Sequence, residues 1–213
     1  MKEYSFVYKD KNYLINIEKD SRLKTRARFE YRDGIPYFRI PMHLSYFHAK
    51  FMLKQNLSSV VSFLERTKAE DEHHIFIFGK IYDITYDGNS FNVDSILKYQ
   101  NKKDRTKKLK KMLYNYASKR MREYEMIMNI DRPYNLMIRE MKTRYGTNSK
   151  KTHRITLSLN LIHYSFEMID SVIIHELAHD KYFDHSKNFY NEVLKYCPNY
   201  RILNKRMKKG EYA

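Results

Sequence analysis

The stretch "SVIIHELAHDKYFDHSKNFY", residues 171–190, constrains this chain more than any other. Val172, Ile173, Ile174, Leu177 and Ala178 make the first half apolar enough to be a buried helix, yet His175, Glu176 and His179 sit inside it. Buried imidazoles need partners. Histidines four residues apart on a helix share one face, so a single metal ion can satisfy both. Glu176, one position after the first histidine, can reach a water at that metal without binding the metal itself. Composition alone gives such a match in about 2 % of chains of this make-up. Two neutral imidazoles leave room for a third ligand and a water whose pKa Zn²⁺ lowers towards ~7, the requirement of a zinc hydrolase. His185 is the nearest candidate for the third ligand, after a short break at residues 182–184. Asp184 is its main rival. Glu192, two helical turns beyond His185, is the other, and reads as a solvated residue.

The rest of the chain supplies the scaffold. Residues 3–8 and 12–18 alternate as two strands of a hairpin around Lys9-Asp10-Lys11. "RARFEY" and "PYFRIP" flank Asp33-Gly34, a strong hairpin-turn signal. From residue 45 to about 65 the apolar spacing is helical. "HHIFIFGKIYDITYDGN" reads as two strands ending at a second Asp-Gly turn. Spacing turns helical again from residue 93 to about 130. Residues 134–146 are strand-like and "TNSKKT" loop-like; in "RITLSLNLI", Ile155, Leu157, Leu159 and Leu161 alternate with polar residues as in a half-buried strand. Ser165 or Asp170 is placed to cap the histidine helix. A last helix runs from residue 186 to 196 and stops before Pro198. The expected fold is α+β: a β-rich region with one helix over residues 1–93, packed with a C-terminal domain over residues 94–213 that carries the active-site helix.

Bulk properties narrow the setting. With 213 residues and 42 % hydrophobic content the chain suits one domain or two small ones. The single Cys197 excludes an internal disulfide and fits a reducing compartment. No run approaches the ~20 apolar residues that span a bilayer, and the N-terminus lacks a signal peptide's apolar core, so a cytoplasmic location is expected. The net charge of +16 suits a polyanionic partner, a nucleotide or nucleic acid. Lysine-rich faces are also often merely solvated. Between Lys98 and Arg122 basic residues dominate, with Asp104 the only acid, and Tyr99, Tyr114 and Tyr116 interleaved.

"HELAHDKYFDHSKNFY" resembles the YgjP-like metallopeptidase domain family, zincin-type proteins with a HELAH helix followed by Asn-His-Ser and an aromatic pair. Asp184 stands here for the asparagine and Tyr190 for a tryptophan. "MKTRYGTNSKKTHRITLSLNLI" is similar to the family's Lys-Ser-Arg-Trp-Gly-Ser-Cys-Ser block and following strand, with Tyr145 for the tryptophan and Asn148 for the cysteine. "CPNYRILNKRM" is similar to its Pro-Asp-Tyr segment, and weaker likeness extends over residues 21–207. The resemblance implies a minimal zincin-like domain, zinc ligands at His175, His179 and His185, and a catalytic Glu176. Arg144 and Asp170 also match family positions: Arg144 stabilises developing charge or anchors a loop, and Asp170 caps the helix or supports the site.

The expected reaction is metal-assisted hydrolysis of a polypeptide, with Glu176 as general base and then acid. Residues 154–161, the strand before the active helix, are the expected platform for extended peptide, with Arg144, Arg154 and Ser158 as candidate substrate contacts. His153 and His163 flank that strand and are candidate oxyanion donors. Two alternatives stand beside the peptidase reading: a zinc-dependent hydrolase of nucleotide phosphoanhydrides, and a nucleic-acid-associated protein that processes or binds proteins there.

Overall fold

The computed structural model describes residues 1–32, 35–64, 69–141 and 143–213. It is a mixed α+β structure of two compact units, Met1–Arg66 and Thr67–Ala213.

In the first unit, β1 (Lys2–Tyr8) and β2 (Lys11–Asp20) form the expected hairpin. Lys9 and Asp10 both have positive φ, 47° and 61°, as a two-residue hairpin turn requires. β3 (Arg28–Arg32) and β4 (Ile35–Pro41) pair antiparallel; the Asp33-Gly34 turn between them lies outside the described residues. β4 also pairs parallel with β2, giving the order β1-β2-β4-β3. The single helix expected over residues 45–65 is two, α1 (Tyr46–Gln55) and α2 (Leu57–Leu64), because the backbone leaves helical geometry at Asn56 (φ −124°). Ile15, Ile17, Phe38, Ile40, Ala49, Leu53 and Val60 close the core of this unit.

The second unit begins with β5 (His74–Ile77), β6 (Lys80–Tyr86), β7 (Phe91–Val93) and β8 (Leu97–Tyr99), a meander in that order. Residues 93–99, read as the start of a helix, instead hold the end of β7 and the whole of β8. The meander also moves the expected division at residue 93: Ile75, Ile77, Val93, Leu97 and Tyr99 share one core with the C-terminal helices. α3 (Lys102–Ile127) is capped by Asn101, whose side chain accepts from the Asp104 N–H. It buries Leu109, Leu113, Ala117 and Met121, the positions its 3.6-residue period places on one stripe.

A three-stranded sheet follows: β9 (Asn135–Arg139), β10 (Gly146–Ser149) and β11 (Arg154–Ser158), in the order β10-β11-β9. β11 is central, antiparallel to β10 and parallel to β9. A 3-10 turn, Leu159–His163, leads to α4 (Phe166–Ala178), then come α5 (Lys187–Tyr196) and α6 (Tyr200–Lys209). α6 was not expected. Among the described residues, no helix is long and apolar enough to cross a membrane.

Candidate metal centre

α4 is the hub of the second unit. Met168, Ile169, Val172, Ile173, Ile174, Leu177 and Ala178 are buried along it, which fixes the direction in which its polar residues point. Ser165 occupies the N-cap position but makes no side-chain cap bond. Asp170 is not a cap either. It lies within α4 and accepts from Arg120 Nε (3.0 Å) and Nη2 (2.7 Å), Tyr116 Oη (2.8 Å) and Tyr124 Oη (3.1 Å), which ties α4 to α3 by a charge-assisted network.

At the other end of α4, His179 is the C-cap residue and keeps helical φ and ψ, so the four-residue spacing from His175 holds. The chain then turns back: the Tyr182 N–H donates to the Ala178 carbonyl (3.1 Å), and α5 starts where Ser186 accepts from the Phe189 N–H. This reversal brings His185 to the other two histidines. A ring nitrogen from each of His175, His179 and His185 lies within 4.8 Å of the others, and Nε2 of His175 and His185 are 3.3 Å apart. Beneath them the buried Phe189 ring packs against all three imidazoles, at centroid distances of 4.9, 4.5 and 4.9 Å.

The hydrogen-bond partners define how these rings present themselves. His179 Nδ1 is 2.9 Å from the Tyr182 carbonyl, which can only accept; the proton is therefore on Nδ1, and Nε2 keeps its lone pair. His175 Nδ1 is 2.7 Å from Tyr200 Oη, which also receives Asn204 Nδ2 at 3.3 Å. Burial, and then the adjacent His179 and His185, push His175 down to about 3. Burial likewise lowers His179, more than the Tyr182 carbonyl raises it. Both rings are thus neutral donors at physiological pH.

This donor set fits a divalent cation. Two imidazole nitrogens bound at about 2.0–2.1 Å in a tetrahedral zinc site stand roughly 3.3–3.4 Å apart, which matches the His175–His185 separation.

Glu176 lies beside the cluster and is 5 % exposed. Burial raises its carboxyl to about 8, and the charge of Arg144 partly opposes that rise. It touches β10 closely. A Cβ on Gly146 would come within 2.5 Å of Glu176 Oε1 and 2.8 Å of its Cγ, so only glycine admits the carboxylate here. Two residues on, Asn148 Nδ2 donates to the Glu176 backbone carbonyl (2.8 Å). A cleft of about 530 Å³ opens over these groups. Arg144 to Asn148 form one wall and Tyr200, Asn204 and Met207 stand among its other lining residues.

The profile described as YgjP-like, metallopeptidase domain matches residues 25–210. The chain belongs to the YgjP-like metallopeptidase domain family. Membership makes it a hydrolase of the metallopeptidase class, and the matched span is close to the 21–207 expected from the motifs. Among solved structures it is similar to the metallopeptidase zymogen abylysin of Pyrococcus abyssi, with 27 % identity, 43 % of this chain and 90 % of that chain covered, and a TM-score of 0.40. It is also similar to the metallopeptidase zymogen jannalysin of Methanocaldococcus jannaschii, with 24 % identity, 43 % and 95 % covered, and a TM-score of 0.39. No curated protein sequence matches it.

Within the YgjP-like chain, the other residues singled out by sequence fall as follows. Arg144 lines the cleft. Arg154 and Ser158 do not; Ser158 is fully buried, and its Oγ reaches the Met141 carbonyl at 3.4 Å. β11 has neighbours on both sides, so residues 154–158 offer no edge to a peptide. Among the described residues, β10 is an edge strand of this sheet and lines the cleft. His153 stacks on Tyr134 and bonds the Arg132 carbonyl, and His163 bonds the Phe76 carbonyl (2.7 Å), so neither imidazole reaches the cleft. Asp184 is outside the histidine cluster, and Glu192 is engaged with Lys181 at 2.6 Å. Two of the interleaved tyrosines serve the fold: Tyr99 is in the core and Tyr116 holds Asp170. Tyr200 and Asn204 went unnoticed in the sequence, although Tyr200 lies in the "CPNYRILNKRM" segment that carried part of the resemblance.

Proposed function

We propose that the protein is a zinc-dependent peptidase that hydrolyses peptide bonds with an activated water. The carrying observation is the convergence of three ring nitrogens within 4.8 Å beside a buried carboxylate. His175, His179 and His185 would hold the ion. Zinc bound there supplies Lewis acidity, polarising a substrate carbonyl and making a water acidic near neutral pH.

The protein's own groups do the rest. Glu176, held by β10 at the cleft floor, takes the proton of the attacking water and passes it to the leaving amine. Tyr200 bonds His175 Nδ1 and orients that ring, and the Tyr182 carbonyl fixes the tautomer of His179. The edge of β10 offers backbone N–H and C=O groups to an extended peptide, taking the role first read into residues 154–161. Arg144, on the same wall, would stabilise charge that develops on the carbonyl oxygen. Family membership favours peptide over phosphoanhydride as the bond cut, and lends no support to a nucleic-acid-bound role.

Purified protein should carry about one zinc, given a three-histidine site. His175→Ala should lose it, whereas Glu176→Gln should keep the metal and lose cleavage of an unfolded protein. A histidine variant that retains its metal would overturn the reading, as would turnover of nucleotides without turnover of peptides.

A further inference from the structure

Most large apolar side chains that line the cleft belong to the fold. Val172, Tyr200 and Met207 are in the core of the second unit, and Tyr145 packs against it. Phe183 differs. It lines the cleft, is 46 % exposed, and lies outside that core cluster. The chain holds it from both sides. Tyr182, one residue before, packs against the core, donates its N–H to the Ala178 carbonyl and accepts at its own carbonyl from His179. Two residues after, His185 joins the histidine cluster. The Phe183 ring therefore stands beside the His179 imidazole, with centroids 6.1 Å apart and planes 28° apart. From the turn after β10, the Lys150 ammonium stands 4.8 Å from the Phe183 ring centroid. An exposed aromatic ring is ordinary on an open surface. In a cleft, next to a candidate metal ligand, it is contact area that the fold leaves for a ligand.

We propose that Phe183 is a specificity-determining residue, its ring forming a subsite for one aromatic side chain of the peptide in the cleft; the assignment rests on the peptidase reading above. A peptide cut at this centre passes His179. The Phe183 ring, 6.1 Å from that imidazole, is within reach of a residue about two positions or fewer from the bond that is cut, at about 3.3 Å per residue of extended chain. Successive side chains of such a chain point to opposite faces, so the ring meets only one of two neighbouring positions. An aromatic partner is favoured over an aliphatic one because two rings in offset or edge contact gain about 2- to 12-fold beyond the area they bury.

The test uses the zinc-loaded full chain and fluorogenic peptides of one otherwise non-aromatic frame, with Phe, Leu, Gln or Glu walked through each position. At one position Phe should gain about tenfold in kcat/KM over Gln and exceed Leu, with no such gain at either neighbour. Phe183→Ala should cut that ratio to below twofold, and Phe183→Tyr should keep it. Tyr114→Ala removes an equally exposed ring from α3, outside the cleft lining, and should leave the ratio as it was. Equal gains at adjacent positions, a ratio unaltered in Phe183→Ala, or an equal loss in Tyr114→Ala would overturn the subsite. So would a preference for Glu over Phe, which would assign the selection to Lys150.

A second readout separates this idea from the peptidase reading. The chain has no tryptophan, so a peptide carrying one at the favoured position, or at each position in turn, reports its own surroundings. Its emission is measured on zinc-loaded Glu176→Gln protein. A blue shift that Glu176→Gln/Phe183→Ala loses upholds the subsite, and it removes the peptidase alone if the parent cuts no peptide. Cleavage with no aromatic preference at any position overturns the subsite and leaves the peptidase standing. Emission that the protein leaves unmoved at every position also overturns the subsite.

Discussion

Gly146→Ala is the most direct test of how the Glu176 carboxylate is held. The added Cβ would stand 2.5 Å from Glu176 Oε1, 2.8 Å from Cγ and 2.9 Å from Cδ. Ordinary contact for such atoms begins near 3.4 Å, so the carboxylate must retreat by about 0.5–1 Å or β10 must move. Retreat is costly. Glu176 is on a buried helix, and its backbone carbonyl is pinned by Asn148 from the same strand. Overpacking of this size costs about 1–3 kcal/mol, and an ångström of misplacement at a reacting group costs on the order of 10²-fold in rate. Gly146 does not have a left-handed backbone, so the effect is steric and not conformational. The variant should bind zinc as the parent does, lose a few degrees in Tm, and fall about a hundredfold in kcat/KM on an unfolded protein. In the Glu176→Gln background it should cost almost nothing further in rate, because both changes act through one carboxylate. Activity within twofold of the parent would show that the Glu176 position in this structure is not the working one, and the base assignment would fall.

Four other outcomes follow from the same geometry. Tyr200→Phe removes the partner of His175 Nδ1 but keeps the ring stack, and should weaken zinc binding by about 10- to 100-fold in chelator competition; unchanged affinity would remove Tyr200 from the site. Phe189→Ala hollows the floor beneath three imidazoles and should cost about 3–5 kcal/mol in urea unfolding of the metal-free protein, part of it recovered on adding zinc; a loss under 1 kcal/mol would refute that packing. In metal-free protein, Glu176 has a folded pKa raised by burial from its ordinary 4.5 to about 8. Its protonated form stabilises the fold fully below about 4.5, and that contribution is lost as pH rises through about 8. The Tm of metal-free Glu176→Gln should therefore gain on the parent between those limits, and a pH-independent gap would refute it. In the N-terminal unit, Arg39 is 5 % exposed and meets Asp20, Glu18 and Glu30, whereas Arg22 meets Asp20 with an exposed side chain. Arg39→Ala should lower that unit's Tm well beyond Arg22→Ala, and equal losses would contradict the burial.

Much of the fold was legible because it is written locally. The hairpins β1–β2 and β5–β6, the long stripe of α3 and the alternation of β11 each declare themselves within a dozen residues. What failed depends on distant partners. Residues 93–99 carry apolar side chains at intervals that suit a helix, but β7 and β8 are three-residue strands that exist by pairing with β6 and each other. The division expected at residue 93 failed for the same reason, since Val93 and Leu97 have their core neighbours in the C-terminal unit. α6 was legible and missed: Tyr200, Leu203 and Met207 fall at i, i+3 and i+7, and Gly210 closes the helix with a left-handed φ of 76°.

The site divides along the same line. HELAH states its chemistry within one helical turn, and the break before His185 is short enough to imply the return that the structure shows. Alternation in residues 154–158 identified a strand but could not tell a central strand from an edge. β10, the strand that meets Glu176, reads "GTNS" and buries no large side chain, so it carries no apolar pattern to find. Its glycine is the trace it leaves: a small residue demanded by a carboxylate 30 positions away. Such positions are selected by contacts across the cleft and not by the segment's own folding. That is why the clustering of His175, His179 and His185 could be read from the sequence, while the wall that holds Glu176 in place required the structure.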